Sequence, residues 1–159
     1  WMLTGCKGRK ANFIKSFYME EGGLERFNLR LQEKYRQIQK KEQWCEDLFL
    51  SDARIILVAY GTMARIAKAA VYKLRKQGQK VGLIRPVILW PFPKKIFQRL
   101  TTNAKRKAFL AVEMSYGQML EDVRLALDCK ARTEFLGRSG GGIPTEEEII
   151  GRVKRMRLA

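Results

Sequence analysis

The segments of this chain that could do chemistry are few. Arg138-Ser139-Gly140-Gly141-Gly142 stands just ahead of a helix start, where backbone N–H groups can cradle an anion and Arg138 adds positive charge. The loop is neither a Walker loop nor G-x-G-x-x-G, and Glu146, Glu147 and Glu148 occupy the turn that would hold the anion. A structural or subunit-facing loop is therefore the favoured reading. Ser115 would need a base to act as a nucleophile, and the chain contains no histidine. Glu113 and Asp122 could form a carboxylate pair, although a strand-end glutamate among so many arginines reads first as a salt-bridge partner. Trp90 and Phe92 alternate with Pro91 and Pro93; capping of the domain's own core is the first reading for them and an interface anchor the second. Cys6, Cys45 and Cys129 lack any C-x-x-C spacing and read as ordinary buried or half-buried thiols, not as a disulfide, zinc or iron–sulfur framework.

Composition narrows the classes further. With 159 residues and 46% hydrophobic content the chain can bury a proper core as one domain plus an arm. No apolar stretch is long enough for a membrane helix and no signal-peptide pattern is present, so a cytoplasmic location is expected. The chain opens at Trp1 rather than a plausible initiator, which suggests a piece of a longer polypeptide. Thirty-two Lys and Arg against sixteen Asp and Glu give +16. The basic residues are dispersed, from Lys34, Arg36, Lys40 and Lys41 to Lys105, Arg106, Lys154 and Arg157, and many fall at helix C-termini, where they complement the dipole. Solvated helix ends are favoured, then docking to an acidic partner subunit. Nucleic acid comes last, because no binding motif supports it.

The elements that must position these residues recur at a nearly constant spacing. An apolar run ends, an amphipathic helix follows, and the next run begins ~25 residues on, at Ile55, Val81, Phe109 and Thr133. Strands returning to one edge through helical crossovers make a parallel sheet. Ile55 to Tyr60 is apolar throughout, as a strand buried on both faces requires. Gly61 ends it and Thr62 is placed to cap a helix burying Met63, Ile66, Ala67, Ala70, Val71 and Leu74. Val81 to Ile84 is the second strand, and Arg85-Pro86 takes the chain off its end. Lys94 to Asn103 is a short helix burying Ile96, Phe97 and Leu100. Phe109 to Val112 is the third strand, followed by a helix with Met119, Leu120, Val123, Ala126 and Leu127 inward. Thr133 to Leu136 is the fourth, and Thr145 with Glu148 makes a capping box for a last helix burying Ile149, Ile150 and Val153. Upstream, residues 1–23 are an irregular lead-in. Leu24, Phe27, Leu31, Tyr35, Ile38, Cys45, Leu48 and Phe49 form one helical stripe to about Phe49, a long arm suited to a dimer or subunit contact. The expected organisation is thus residues 1–50 as lead-in and arm, and 51–159 as an α/β domain. Its strands' C-terminal ends align Gly61-Thr62, Arg85 to Phe92, Ser115 to Gln118 and Arg138 to Gly142 along one functional edge. Thr62, Arg85, Trp90, Phe92, Ser115, Gln118, Arg138, Gly140 and Gly141 are its candidate interface or active-site residues; no catalytic residue and no metal ligand is assigned.

Several strings, in order along the chain, resemble a known family. They are Leu3-Thr4-Gly5 with Gly8-Arg9, Asp52-Ala53 leading to Val58-Ala59-Tyr60-Gly61, Ala64-Arg65-Ile66-Ala67-Lys68, Val81-Gly82-Leu83 with Arg85-Pro86, and Leu89-Trp90-Pro91-Phe92-Pro93. Val112-Glu113-Met114-Ser115, Gly117-Gln118-Met119 with Glu121-Asp122-Val123-Arg124-Leu125-Ala126, and Gly137-Arg138 before Pro144-Thr145 complete the set. Together they resemble the C-terminal part of the α subunit of 2-oxoacid:ferredoxin oxidoreductases, with the 2-oxoisovalerate (branched-chain) form closest. The resemblance implies a domain similar to the transketolase C-terminal domain: three layers, α/β/α, around a mostly parallel or mixed sheet in which one antiparallel strand would bring the four strands to five. It also implies an enzyme that decarboxylates a 2-oxoacid on thiamine diphosphate and Mg2+, passes electrons through iron–sulfur clusters to ferredoxin, and forms an acyl-coenzyme A. Those tasks are shared with β, γ and δ subunits. None of the cofactors is expected to be bound by this chain alone, whose expected role is assembly and shaping of the active-site edge. Two competing readings, a basic nucleic-acid-binding module and a free-standing Rossmann-like small-molecule binder, rest on charge and sheet type only.

Overall fold

The structure, a computed structural model, describes residues 5–14, 16–101 and 107–156. The expected helix end at Asn103, the basic residues Lys105, Arg106 and Arg157, and the Leu3-Thr4 string lie outside them. The chain divides into two compact units, residues 1–38 and 39–159.

In the first unit, an irregular segment with exposed Phe13, Ile14, Phe17 and Met19 leads to helix α1 (Gly23–Lys41), whose last residues belong to the second unit. Gly22, at φ +69°, opens the helix, and the Tyr18 and Phe27 rings pack 5.3 Å apart at its start. Phe27, Leu31, Tyr35 and Ile38 are half-buried along the expected stripe. The stripe does not continue to Phe49, however. The helix stops at Lys41 and the chain re-enters as a strand, β1 (Cys45–Leu48).

The second unit is a five-stranded sheet in the order β1, β3 (Val81–Pro86), β2 (Ile55–Ala59), β4 (Ala108–Glu113), β5 (Arg132–Gly137). All neighbours are parallel except β1, which pairs antiparallel with β3, Glu46 opposite Arg85 and Leu48 opposite Leu83. That pairing also corrects the end of the second strand, since β1 keeps Arg85 and Pro86 in the sheet instead of releasing them at Ile84. The central strands β2 and β4 are buried at every position, which is why their sequences are apolar without alternation up to Glu113 at the end of β4.

Alternation nonetheless sorts the two faces. Leu57, Ala59, Leu83, Leu110 and Val112 pack under α2 (Gly61–Lys76) and α5 (Glu146–Arg155). Ile56, Val58, Ile84, Phe109 and Ala111 pack under α3 (Lys94–Thr101) and α4 (Gln118–Ala126). Each large side chain so buried contributes ~1.5–3 kcal/mol. The small residues Ala64, Ala67 and Ala70 let α2 lie close against the sheet. The three-layer α/β/α architecture is that expected, with β1 as its fifth, antiparallel strand.

Two local expectations change. Thr62 does not cap α2: the helix begins at Gly61, with Tyr60 at the cap position and no side-chain cap bond. In α5 the capping box forms, Thr145 Oγ1 accepting from Glu148 N at 3.2 Å and Glu148 Oε2 from Thr145 N at 2.8 Å. Ile149 and Val153 are buried beneath it, whereas Ile150 is only half-buried.

Candidate functional site: the strand-end edge

From β2 the chain passes to β3 on one side, and from β3 it crosses to β4 on the other side of β2. The connections therefore diverge between β2 and β4, and a crevice at the C-terminal ends of these strands is where such sheets seat ligands and partners. The parallel pairing brings Thr62 after β2, Arg85 at the end of β3, Ser115 and Gln118 after β4, and Arg138, Gly140 and Gly141 after β5 to this one edge. Thr62 is exposed at the start of α2.

The C-terminal end of β4 is built around Glu113. This carboxylate is fully buried, which without partners would be very costly. It accepts from Ser115 Oγ at 2.5 Å, from Met119 N at 3.2 Å and from Leu120 N at 3.2 Å. The expected salt bridge to arginine is replaced by the first-turn N–H groups of α4, a helix whose cap residue, Gly117, has no side chain to offer. Ser115 is thereby a donor to Glu113, a carboxylate that also holds two backbone N–H groups of α4. Gln118 Oε1 accepts from Tyr116 N at 3.1 Å and closes the same turn. Gly137 lies alongside: a Cβ there would sit 2.6 Å from the Ser115 carbonyl oxygen, so glycine lets β5 pass the turn. Asp122 has its carboxyl pKa raised by partial burial, opposed by the Lys94 charge and reinforced by Glu121 and Glu113. Glu113 has both oxygens engaged, so the expected carboxylate pair has no free acceptor face for acid–base work.

The glycine-rich loop differs from an anion cradle. Gly140 and Gly141, at φ +64° and +86°, turn the chain, while the Arg138 guanidinium is ion-paired with Glu148, the capping-box acid. Arg85 pairs with Glu46 at 3.0 Å. The aromatic loop divides. Phe92 is buried and stacks on Phe97 at 5.3 Å, so the core reading holds for it. Trp90 is 55% exposed, and the core reading fails there.

Around Trp90 the edge presents apolar side chains that the sequence did not single out: Val87 and Leu89 after β3, and Met114 and Tyr116 after β4, all exposed, Tyr116 to 78%. Their only advance signal was their position just past a strand end. Gly61 and Thr62, after β2, lie between the loop that follows β3 and the turn that follows β4. Aromatic residues, Met and Arg are the types enriched where proteins associate.

Among the described residues no three of His, Cys, Asp and Glu stand together as a metal-ligand set, and the cysteines are free. Three separate free cysteines do not make the ligand set of an iron–sulfur cluster. Cys6 and Cys129 are exposed rather than buried; Cys45 is half-buried, and burial raises its thiol pKa. No helix among the described residues is long and apolar enough to cross a membrane.

Against known proteins, residues 53–149 match the family profile described as pyruvate:ferredoxin oxidoreductase core domain II. The ketoisovalerate oxidoreductase subunit VorB of Methanothermobacter marburgensis is 37% identical over 156 residues, covering 98% of this chain and 44% of the relative. The 2-oxoglutarate synthase subunit KorA of the same organism is 31% identical over 106 residues, 67% of this chain and 28% of that protein. Among solved structures, the 2-oxoglutarate:ferredoxin oxidoreductase from Magnetococcus marinus superposes with a TM-score of 0.67 at 18% identity, over 87% of this chain and 24% of the other. A split-gene transketolase superposes with a TM-score of 0.55 at 16% identity, over 69% of this chain and 40% of the other, which supports the fold alone. The chain spans less than half the length of the VorB relative it matches.

Proposed function

This chain belongs to the pyruvate:ferredoxin oxidoreductase core domain II family, and on that premise we propose that it is the docking and active-site-shaping domain of the α-type subunit of a cytoplasmic 2-oxoacid:ferredoxin oxidoreductase. The oxoacid is 2-oxoisovalerate. The single observation that carries the reading is the similarity to a ketoisovalerate oxidoreductase subunit, which runs over 98% of this chain. The geometry supports the same role: a sheet end displaying exposed Trp90, Met114 and Tyr116. In this reading the β, γ and δ subunits supply thiamine diphosphate, Mg2+, the iron–sulfur clusters and the contact with ferredoxin, and coenzyme A enters the assembled complex. The strand-end edge faces the β subunit, and the amphipathic face of α1 serves self-association.

The mechanism assigned to this chain is positional. Glu113 holds Ser115 and the start of α4, Gly137 lets the neighbouring strand pass, and the Tyr116 and Trp90 loops follow the strands on either side of β2. The test is co-expression of the chain with the β-type subunit, followed by size-exclusion chromatography and assay of 2-oxoisovalerate-dependent ferredoxin reduction. Co-elution, with no turnover by the chain alone, is expected. Turnover by the isolated chain, or no association with the β-type subunit, would refute the role.

A further inference from the structure

The antiparallel border of the sheet displays a second tryptophan. Trp44 stands one residue ahead of β1, and its carbonyl oxygen accepts from Val87 N at 3.0 Å and from Ile88 N at 3.4 Å, which carries the β1–β3 ladder one step past Cys45 and Pro86. Trp44 is therefore held beside the segment that runs on through Leu89 to Trp90. Its side chain is 59% exposed, and Val87, Leu89 and Trp90 are exposed with it. Apolar residues scattered singly over a surface need no explanation, but these four occupy two segments joined by hydrogen bonds. A tryptophan side chain presents ~150–250 Å², so the two indoles leave roughly 200 Å² in water. With Val87 and Leu89 added, the patch has the few-hundred-Å² scale on which exposed apolar surface marks an interaction site.

Both indoles stand on supports secured to one helix. Gln43 Nε2 donates to Gln39 O at 2.7 Å near the end of α1, and Gln43 Oε1 accepts from Lys95 N at 3.3 Å in the first turn of α3. Lys95 Nζ in turn donates to Lys40 O at 3.3 Å. Two residues after Trp90, Phe92 stacks on Phe97 of the same helix. α3 thus ties down the segment that leads to Trp44 and the loop that carries Trp90.

The same supports are basic, and that decides the kind of partner. Lys40 and Lys41 close α1, and Lys94 and Lys95 open α3, all four exposed. The acids facing them are Glu42 beside Lys41 and Asp122, which lies within the field of Lys94. Two copies of this chain meeting here would set lysines against lysines, which opposes association, whereas an acidic surface is complementary.

We propose that Trp44 is a second anchor of the docking surface, and that the β-type subunit grips the β1–β3 border through an apolar patch rimmed by acidic residues. The inference rests on the docking role proposed above, which it extends from the strand ends to the antiparallel strand. The patch runs directly into the Trp90 loop already assigned to that subunit.

The test is fluorine NMR of the chain labelled with fluorotryptophan and titrated with the unlabelled β-type subunit. The signals of Trp1, Trp44 and Trp90 are assigned from single tryptophan-to-phenylalanine variants. The Trp44 and Trp90 signals are both expected to shift or broaden and to saturate at the same ratio of subunits. Trp44→Ala should weaken association about tenfold by calorimetry, and Trp44→Phe less. The titration uses the native sequence, so it does not depend on how a variant folds. A Trp90 signal that moves while Trp44 stays would overturn the inference and leave the docking role standing. A complex that moves neither signal would overturn both the inference and the strand-end edge as the docking face, and no complex at all would overturn the docking role with it. A Trp44 shift that follows the concentration of the chain alone would assign the patch to a second copy. One that serum albumin reproduces would reduce it to non-specific acidic contact, and either result overturns the proposal.

Discussion

Replacing Glu113 by glutamine keeps the size of the side chain and removes the negative charge, so it isolates what the buried carboxylate does. In the native chain Glu113 Oε2 receives Ser115 Oγ and Met119 N, and Oε1 receives Leu120 N. A carboxylate accepts at both oxygens, whereas an amide has one oxygen and one donor group. In either orientation of the substituted side chain, its NH2 must face a backbone N–H of α4, that of Leu120 in one case and of Met119 in the other. One charge-assisted bond of ~1.5–3 kcal/mol is therefore lost and a buried donor is left unsatisfied. The remaining bonds weaken to neutral ones, and the favourable interaction with the helix N-terminus, ~0.3–2 kcal/mol, disappears. Because these contributions overlap, the expected destabilisation is about 3 kcal/mol. For a unit of this size that corresponds to a fall in Tm of about 10 °C. The assay is urea unfolding followed by circular dichroism, with Ser115→Ala, expected to cost about 1 kcal/mol, as the single-bond comparison. An E113Q chain within about 0.5 kcal/mol of the native one, at unchanged m-value, would show that the carboxylate does not secure α4, and the account of the site's rigidity would fall.

Other expectations separate folding from docking. Trp90→Ala should cost the chain less stability than Phe92→Ala and weaken association with the β-type subunit at least about tenfold, measured by calorimetry. Phe92→Ala, which empties the stack on Phe97, should instead cost about 3–4 kcal/mol of stability. Gly137→Ala drives a methyl against the Ser115 carbonyl and should destabilise by about 1–3 kcal/mol, read from thermal melts. Hydrogen bonding to Arg75 lowers the Asp52 pKa, so that bond's stabilisation is present above the ordinary aspartate range, ~4, and is lost as pH falls through the lower folded value. Asp52→Asn should flatten that acid-side loss in urea midpoints measured across pH 2–5, a range taken on either side of ~3.9.

What the sequence disclosed follows from how much of each element is decided locally. β2 and β4 are buried on both faces and so are apolar, β4 as far as Glu113; α2 and α4 cover the sheet and show their stripes. β1 escaped notice because it is four residues long, pairs on one side only and reads Cys-Glu-Asp-Leu, with no alternation to see. Its apolar residues happen to continue the helical spacing of α1, and the exit of the strand past Ile84 was hidden for the same reason, since it depends on β1. At the site, Glu113 looked like an ion-pair partner because sequence gives its neighbours in the chain but not the α4 amides, six and seven residues on, that turn back over it. Trp90 and Phe92 carry the same kind of signal in sequence, and only the path of the loop sends one inward and the other to solvent.

The tie between Glu113 and α4 also bears on how an encounter at this edge would proceed. Met114 and Tyr116 sit on a turn fixed at both ends, by the strand that precedes it and the helix capped behind it. Ordering a loop at an interface ordinarily costs ~0.5–1.5 kcal/mol for each immobilised side chain. Here most of the backbone share of that ordering is completed during folding. A partner meeting this surface would find its apolar contacts already arranged, so association need not wait on rearrangement of the turn and its strength would depend on how well the partner's surface matches a fixed shape.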